Sequence, residues 1–274
     1  MNDKSQKKHR KGRPFQSKKQ TAIKENIPTP PSQTKEKDQI RLNKFIANAG
    51  VCSRREADRL IAEGLIKVNG EVVTLVGSMV KLNDEVIYEG KVLNAEKLVY
   101  VLLNKPKDCV TTLSDPHAKR TVIDIVKNAC TERIYPVGRL DKMTTGVLLL
   151  TNDGDLAKRL THPSHEHRKI YHAFLDKPIS KEDLKKIETG FELEDGFIKS
   201  DKLSLVKENP LEVGIEIHSG KNRIVRRIFK HLGYEVIKLD RVYFSGLTKK
   251  DVPRGKWRFL TQKEITFLKA GIMK

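Results

Sequence analysis

The chain has 274 residues and a formal net charge of +19 at pH 7, from 54 Lys and Arg against 35 Asp and Glu. No run of about 18 apolar residues is present, which excludes a predicted membrane-spanning helix, and no hydrophobic signal segment opens the chain. The three cysteines are too far apart to predict a metal site or a disulfide framework. We therefore expect a cytoplasmic protein that binds a polyanion, because phosphate groups attract a surplus of positive charge.

Residues 1–39 are rich in Lys, Gln, Ser and Pro and contain almost no large apolar side chains. Such a segment cannot bury enough surface to offset its chain entropy, so we predict a disordered basic tail. The tail carries a net charge of +7 and leaves +12 on residues 40–274. Two interpretations of the cluster from Lys7 to Arg13 stay open: non-specific affinity for RNA, or a solvated tail without a role.

Residues 40–90 have the pattern of a small compact unit. Apolar residues at helical spacing predict a first helix that ends at Gly50, and Ser53 is placed to cap a second one. Asn69-Gly70 predicts the two-residue turn of a β-hairpin. A further strand is predicted at 84–88, so the unit combines two helices with a small sheet.

Residues 91–97 form a short polar link to the longer part of the chain, residues 98–274. Alternating or continuous apolar runs and helical spacing predict its elements. The predicted strands are at 98–103, 147–150, 169–175, 211–218, 236–239 and 257–260, and the predicted helices are at 122–126, 154–160, 180–188, 223–232 and after the capping residues 261–264.

The stretch at 137–154 organises this longer part. Its apolar run, 147–150, lies between Gly146 and a turn, which predicts a strand buried on both faces. Arg139 and Asp141 belong to the polar loop before that strand, and loops held by rigid elements often carry function. From the residues alone, the pair is either functional or a surface salt bridge worth about 0 to 1 kcal/mol.

The predicted helix at 223–232 has two contrasting faces. One face is apolar, and the other carries Arg223, Arg226, Arg227 and Lys230. This pattern is typical of a helix that packs on a core while its basic face meets a polyanion.

Six stretches together resemble the RNA pseudouridine synthases that carry an S4 domain. Gly-Arg-Leu-Asp-x-x-Thr-x-Gly at 138–146, with Thr-Asn-Asp-Gly after the strand, is similar to the catalytic signature of that family. Asn-Lys-Pro at 104–106, Lys-x-Tyr at 169–171 and Gly-x-Asn-Arg-x-x-Arg-Arg at 220–227 resemble further motifs. Arg-Leu-Asn-Lys-x-Ile at 41–46 and Cys-Ser-Arg-Arg-Glu-Ala-Asp at 52–58 are similar to the S4 RNA-binding module. One departure is Ile224, where the family pattern has a polar residue, often Gln.

The resemblance implies an α+β fold. It implies an S4-type domain at 40–90, a linker at 91–97 and a catalytic domain at 98–274 with a mixed, mostly antiparallel sheet flanked by helices. We also expect the S4 unit to be mobile relative to the catalytic domain without RNA. The branch most similar to the chain is the ribosomal RNA branch, the RsuA family, and within it the large-subunit synthase B group.

The resemblance further implies how the site works. Asp141 is the catalytic carboxylate, Arg226 is the guanidinium that keeps it ionised by lowering its pKa, and Tyr171 stacks on the base and handles a proton. Arg139 enters the helical stack when the uridine flips out. The remaining predicted RNA contacts come from Arg41, Lys44, Arg54, Arg55, Asn222, Arg223 and Arg227. The isomerisation adds and removes no group and involves no redox change, so we expect neither a cofactor nor a metal.

The predicted function is isomerisation of a specific uridine in ribosomal RNA. The resemblance favours the 23S RNA of the large subunit as the substrate. The alternatives are a synthase for small-subunit ribosomal RNA or transfer RNA, and a non-catalytic RNA-binding assembly factor. Asp141, Tyr171 and Arg226 are all present, which argues against the non-catalytic alternative. We expect a monomer that acts on ribosomal RNA, free or within an assembly particle.

Overall fold

The computed structural model describes residues 39–114 and 119–271. The predicted tail, apart from Gln39, lies outside the described residues. The strands are β1 (Gln39–Arg41), β2 (Ile66–Val68), β3 (Glu71–Val72), β4 (Met79–Lys81), β5 (Val86–Tyr88), β6 (Lys91–Val92), β7 (Tyr100–Lys105), β8 (Tyr135–Pro136), β9 (Thr145–Thr151), β10 (Lys169–Leu175), β11 (Phe191–Leu193), β12 (Gly196–Ile198), β13 (Lys202–Val206), β14 (Asn209–Ile217), β15 (Val236–Phe244), β16 (Leu247–Thr248) and β17 (Trp257–Phe259). The helices are α1 (Leu42–Asn48), α2 (Arg54–Ala62), α3 (Val122–Val126), α4 (Gly154–Thr161), α5 (Lys181–Thr189), α6 (Ile224–His231) and α7 (Gln262–Ala270), with a 3₁₀ turn at Pro163–His165.

The N-terminal unit, residues 39–93, has its own core. Helices α1 and α2 pack on the sheet β3-β2-β5-β6 through a cluster that includes Leu42, Ile46, Ile61 and Ile66, all 0% exposed. The predicted hairpin turn at Asn69-Gly70 is confirmed, with both residues at positive φ. Ser53 caps α2 as predicted, because its hydroxyl accepts a hydrogen bond from the Glu56 backbone N–H, while the Glu56 carboxylate pairs with Arg59.

The C-terminal unit, residues 98–271, is built on one sheet with the strand order β13-β14-β10-β15-β9-β7-β17. Strand β15 pairs with β9 in parallel, and the other pairs along this path are antiparallel. This is the predicted α+β fold with a mixed, mostly antiparallel sheet. A separate hairpin, β11 with β12, lies off the path.

Strand β9 is buried on both faces, as predicted. Val147 and Leu149 pack into the cluster that α4 and α7 cover, while Leu148 and Leu150 pack into the cluster that α3 covers. The four side chains are 0% exposed. A strand enclosed in this way holds the loop before it in one position, and that loop contains Asp141.

Strand β15 differs from the sequence prediction. A strand was predicted at 236–239, but β15 continues to Phe244 and therefore includes Asp240 and Arg241. The apolar sequence pattern ends at Leu239 because the next residue, Asp240, is charged. The strand nevertheless continues, since Asp240 forms ion pairs with Lys249 and Arg254, which are distant in sequence. The extension brings Arg241 into the centre of the sheet.

The link at 91–97 makes specific contacts. It begins inside β6, and the backbone N–H of Glu96 donates to the Asn48 carbonyl of α1. The Glu96 carboxylate accepts hydrogen bonds from the Arg133 backbone and the Asn152 side chain of the C-terminal unit. The domain boundaries and the mobility of the N-terminal unit stay predictions. Among the described residues, no helix combines the length and apolarity that crossing a membrane requires.

Candidate active site

The loop that carries Asp141 is joined to the sheet by a close backbone approach. Gly146 lies opposite Arg241 where β9 and β15 run in parallel. It has φ +106°, and a Cβ there would lie 2.1 Å from the Arg241 carbonyl oxygen. Only glycine allows both this conformation and this approach. Gly146 therefore fixes how closely the start of β9, and the loop before it, approaches the backbone of β15.

Lys105 anchors the same loop from below. Its side chain is fully buried, and Nζ donates to the carbonyl oxygens of Asp141 at 3.1 Å, Lys142 at 3.2 Å and Thr144 at 2.9 Å, and to that of Pro106 at 3.2 Å. Burial lowers the pKa of this ammonium group to about 8. The predicted Asn-Lys-Pro motif thus acts on the shape of the loop. Sequence reasoning did not identify Lys105 as a site residue, since its partners lie 36 to 39 positions away.

Asp141 points into the cleft beside Arg223. Arg223 Nη1 lies 3.4 Å from Asp141 Oδ2, and the two side chains are 53% and 34% exposed. Such an exposed pair contributes little to stability. It nevertheless places a guanidinium next to the carboxylate before RNA arrives.

Arg226 does not form the direct ion pair with Asp141 that the resemblance implied. Its Nη1 donates to the Val236 carbonyl at 2.5 Å, and the ion pair that the described residues give Asp141 is with Arg223. Burial is the main cause that lowers the pKa of Arg226, followed by the nearby Arg223, while Asp141 acts in the opposite direction. The charge of Asp141 therefore stabilises the charged form of Arg226 without a direct contact. The catalytic role of Arg226 stays a prediction.

The start of α6 explains both the reach of Arg223 and the unexpected Ile224. Arg223 caps the helix with φ +48°, a left-handed conformation that costs about 1 to 3 kcal/mol for a residue with a side chain. Ile224 is 5% exposed and belongs to the core under α6. The Ile224 side chain therefore packs on the core, although the residue also lies in the wall of the cleft. Asn222 is exposed, and Arg227 pairs with Asp195 at 2.7 Å.

Tyr171 stands on β10 directly opposite Arg241 of β15. Directly paired residues project from the same face of a sheet, and both side chains line the cleft. Tyr171 also packs against two core clusters, so its ring is held in place. Its role in the chemistry stays a prediction.

The cleft has a volume of about 190 Å³ and a basic lining. Its walls include Arg139, Asp141, Lys169, Tyr171, Arg223 and Arg241. Lys169 Nζ donates to the His167 and His218 carbonyl oxygens at 3.0 and 2.7 Å, and burial lowers its pKa to about 8. The cleft therefore combines one carboxylate with several cations and an aromatic ring, which suits a nucleotide bound through its sugar, base and phosphate.

The other predicted RNA contacts lie at different places. Arg139 is exposed at the rim of the cleft. Arg41 and Arg55 are exposed on the N-terminal unit, Arg54 donates to Asn43, and Lys44 pairs with Asp155 of α4 at 2.8 Å. These four residues do not line the cleft, and their contacts with RNA stay predictions.

Comparisons with known proteins agree with this geometry. The family model described as RNA pseudouridylate synthase matches residues 99–231, and the S4 domain matches residues 40–86. A protein named ribosomal large subunit pseudouridine synthase B from Bacillus subtilis (strain 168) is 44% identical over 234 residues, which cover 84% of this chain and 96% of that protein. The dual-specificity RNA pseudouridine synthase RluF from Escherichia coli (strain K12) is 38% identical, with 82% of this chain and 77% of that protein covered.

A third relative, from Aquifex aeolicus (strain VF5) and named as an RNA pseudouridine synthase, is 40% identical over 84% of this chain and 94% of its own length. A crystal structure of a pseudouridylate synthase superimposes with a TM-score of 0.60 and 30% identity, and covers 84% of this chain and 99% of its own. The motifs around Asp141, the fold and these matches show that the chain belongs to the S4-containing branch of the RNA pseudouridine synthase family, whose members isomerise uridine in RNA.

Proposed function

We propose that this synthase isomerises a specific uridine of large-subunit ribosomal RNA. The support is the 44% identity to a relative named for the large ribosomal subunit, over nearly its whole length. The net charge of +12 on residues 40–274 suits a large structured RNA. The observation that carries the catalytic part is Asp141 in a basic cleft, with Arg223 at 3.4 Å and Tyr171 in the wall.

In the proposed mechanism, the Asp141 carboxylate acts on the ribose of a flipped uridine. It either adds to C1′ or removes the C2′ proton, and the N1–C1′ bond breaks. Arg223 and Arg226 supply positive charge near the carboxylate. The base then turns and C5 bonds to C1′, while the ester bond from C1′ to Asp141 breaks or Asp141 returns the proton to C2′. The C5 proton then leaves, and N1 gains a proton. Tyr171 supports the base and receives or relays a proton, and no cofactor takes part in the proposed scheme.

Other residues would present the RNA. Arg139 fills the gap that the flipped nucleotide leaves in the stack, which offsets part of an unstacking cost of a few kcal/mol. Arg41, Lys44, Arg54 and Arg55 would hold phosphates at the N-terminal unit. We further propose a cytoplasmic monomer whose substrate is ribosomal RNA, free or within an assembly particle.

The test is to map pseudouridines in ribosomal and transfer RNA from cells with and without the gene. Purified enzyme and the Asp141→Asn variant are then added to RNA from the deletion strain. We expect one or a few large-subunit positions to lose pseudouridine in the deletion strain and to regain it with wild-type enzyme only. The asparagine variant keeps the shape of the loop, so it should bind RNA as the wild type does.

Three outcomes would overturn parts or all of the proposal. Loss of pseudouridine only in small-subunit or transfer RNA would move the enzyme to the alternative substrate class. Pseudouridine formation by Asp141→Asn would contradict the catalytic assignment. If no RNA class changes, the non-catalytic assembly role becomes the better interpretation.

A further inference from the structure

Arg241 is a buried cation that the mechanism above does not use. It is 3% exposed, its Nε donates to the Val147 carbonyl at 2.8 Å, and its guanidinium lies 4.7 Å from the centre of the Phe244 ring. Among the described residues, Nη2 has no hydrogen-bond acceptor and no carboxylate forms an ion pair with Arg241. The neighbouring Asp240 is occupied by Lys249 and Arg254.

The position of Arg241 relates it to the reacting nucleotide. Arg241 lies opposite Tyr171 on one neighbouring strand and opposite Gly146, just after the catalytic loop, on the other. It lines the cleft together with Asp141, Tyr171 and Thr144. Thr144 is 2% exposed, and its hydroxyl also has no hydrogen-bond partner among the described residues. The inner end of the cleft is therefore lined by two residues with unpaired polar atoms, Arg241 and Thr144, and these atoms are buried in the structure.

Burying a guanidinium without a carboxylate is unfavourable, and the cost is recovered only when an anion or a strong acceptor arrives. A second cation, Lys169, is close enough that Arg241 lowers its pKa. A buried cation, Arg241, next to a partly buried one, Lys169, makes the inner cleft most favourable for negative charge that develops during the reaction.

The chemistry produces such a charge. When the N1–C1′ bond breaks, both bonding electrons stay with N1, and the uracil becomes an anion whose charge spreads to O2 and O4. Electron demand at C1′ is met by the Asp141 carboxylate, which either adds to C1′ or takes the C2′ proton. When C5 attacks C1′, the electron pair of the anion forms the C5–C1′ bond, and either the ester bond from C1′ to Asp141 breaks or Asp141 returns the proton to C2′. The base is neutral at that point, and it then loses the C5 proton and gains one at N1. The negative charge left by cleavage of the N1–C1′ bond thus lasts until the C5–C1′ bond forms, on either route.

We propose that Arg241 is a catalytic residue whose guanidinium donates to a carbonyl oxygen of the uracil anion and so stabilises the detached base. The Nε bond to the Val147 carbonyl and the Phe244 ring restrict the guanidinium to the inner end of the cleft, so little reorganisation is needed when the charge appears. This inference rests on the proposed function of the same cleft, because it requires a uridine bound between Asp141 and Tyr171.

The experiment compares two leaving groups in the same RNA. The RNA is whichever transcript the wild-type enzyme modifies in the mapping experiment, prepared with uridine or with 5-fluorouridine, so a wrong RNA class does not affect this test. Fluorine stabilises the uracil anion by itself and therefore reduces the need for Arg241. The variants are Arg241→Met, which keeps the length of the side chain without its charge, and Arg241→Lys, which keeps the charge. Arg159→Met, which removes a guanidinium that donates to the Leu268 carbonyl outside the cleft, is the matched control.

Single-turnover loss of the substrate nucleoside gives the rate, and a filter-binding titration gives the Kd for RNA. We expect Arg241→Met to lose about 100-fold in rate on uridine, as when one donor to a developing oxyanion is removed. The loss should be at least fivefold smaller on 5-fluorouridine, and Arg241→Lys should show the same trend with smaller losses. The Kd should change less than about threefold, and Arg159→Met should behave as the wild type does in both RNAs.

Equal losses on the two leaving groups would overturn the proposal, because Arg241 would then act on the fold or on a step without charge on the base. A weaker Kd with an unchanged rate would also overturn it and would identify Arg241 as a phosphate anchor. If Arg241→Met does not fold by circular dichroism, the comparison of leaving groups in Arg241→Lys decides between the same outcomes.

Discussion

Replacing Lys105 by Met removes the ammonium group that holds the loop around Asp141 while keeping a side chain of similar length. In the structure, Nζ lies 2.9 to 3.2 Å from four carbonyl oxygens, three of them in residues 141–144. An ammonium group has three hydrogens, so at most three of these contacts are full hydrogen bonds at one time.

The size of the effect follows from two opposing contributions. Three hydrogen bonds from a charged donor contribute about 5 to 9 kcal/mol. Against this, the shift of the Lys105 pKa from 10.5 to about 8 corresponds to about 3 kcal/mol of unfavourable burial of the charge. We therefore expect Lys105→Met to lower the free energy of unfolding by about 2 to 6 kcal/mol. The loosened loop should also lower kcat by about 10- to 100-fold, because small misplacements of a reacting group are costly.

Urea unfolding at pH 7 and single-turnover pseudouridine formation measure the two effects. Lys186→Met is the matched control, since Lys186 is 61% exposed and pairs with Asp183 on the surface of α5. This control should change stability by less than about 1 kcal/mol. A Lys105→Met variant with wild-type kcat would refute the idea that these hydrogen bonds position Asp141, whatever its stability.

The same variant has a predictable pH dependence. The pKa of Lys105 is about 8 in the folded protein and 10.5 as its ordinary value. Between these pH values the unfolded chain binds a proton that the folded protein has lost, so this group makes the free energy of unfolding rise with pH. The stability difference between the wild type and Lys105→Met should therefore grow from pH 8 to 10.5 and stay constant below pH 8. A difference that shrinks across this window would contradict the lowered pKa.

Three further predictions concern the loop and its neighbours. Arg226→Ala should lower the single-turnover rate at least 30-fold. Arg223→Ala should lower the same rate less than about tenfold, since Arg223 is the more exposed partner in a weak ion pair. Near-normal turnover of Arg226→Ala would show that Arg223 supplies the charge instead. Gly146→Ala should destabilise the protein by about 2 to 5 kcal/mol in urea unfolding, because its Cβ would collide with the backbone of β15; a loss below about 1 kcal/mol would mean that β9 and β15 are not in close contact. Lys169→Met should lose part of the rise in stability that the wild type gains between pH 8 and 10.5, because the pKa of Lys169 is also lowered to about 8; an unchanged slope would contradict its burial.

Several features could be predicted from local patterns alone. Asn69-Gly70 predicts its hairpin because a two-residue turn depends only on its own residues and the strands beside it. The apolar run at 147–150 predicts a doubly buried strand, and the polar loop before it predicts the location of Asp141. The basic face of α6 could also be predicted, because helical spacing depends only on neighbouring residues.

The wrong or missing predictions share one cause. The end of β15 was missed because Asp240 is stabilised there by Lys249 and Arg254, which no local pattern connects with it. The ion pair of Asp141 with Arg223 instead of Arg226 depends on the left-handed turn that begins α6. The burial of Ile224 in the core cluster under α6 was likewise not visible in the motif that contains it.

The amino-acid sequence by itself determined the family, most of the longer elements and the candidate carboxylate Asp141, because these follow from short motifs and periodicities. Tertiary structure decided which distant side chains surround the loop and the cleft of Asp141. Lys105 reaches the loop from 36 positions away, and Arg241 comes opposite Tyr171 through the pairing of β10 with β15. Strand register and burial set these contacts, and both depend on the folding of the whole sheet.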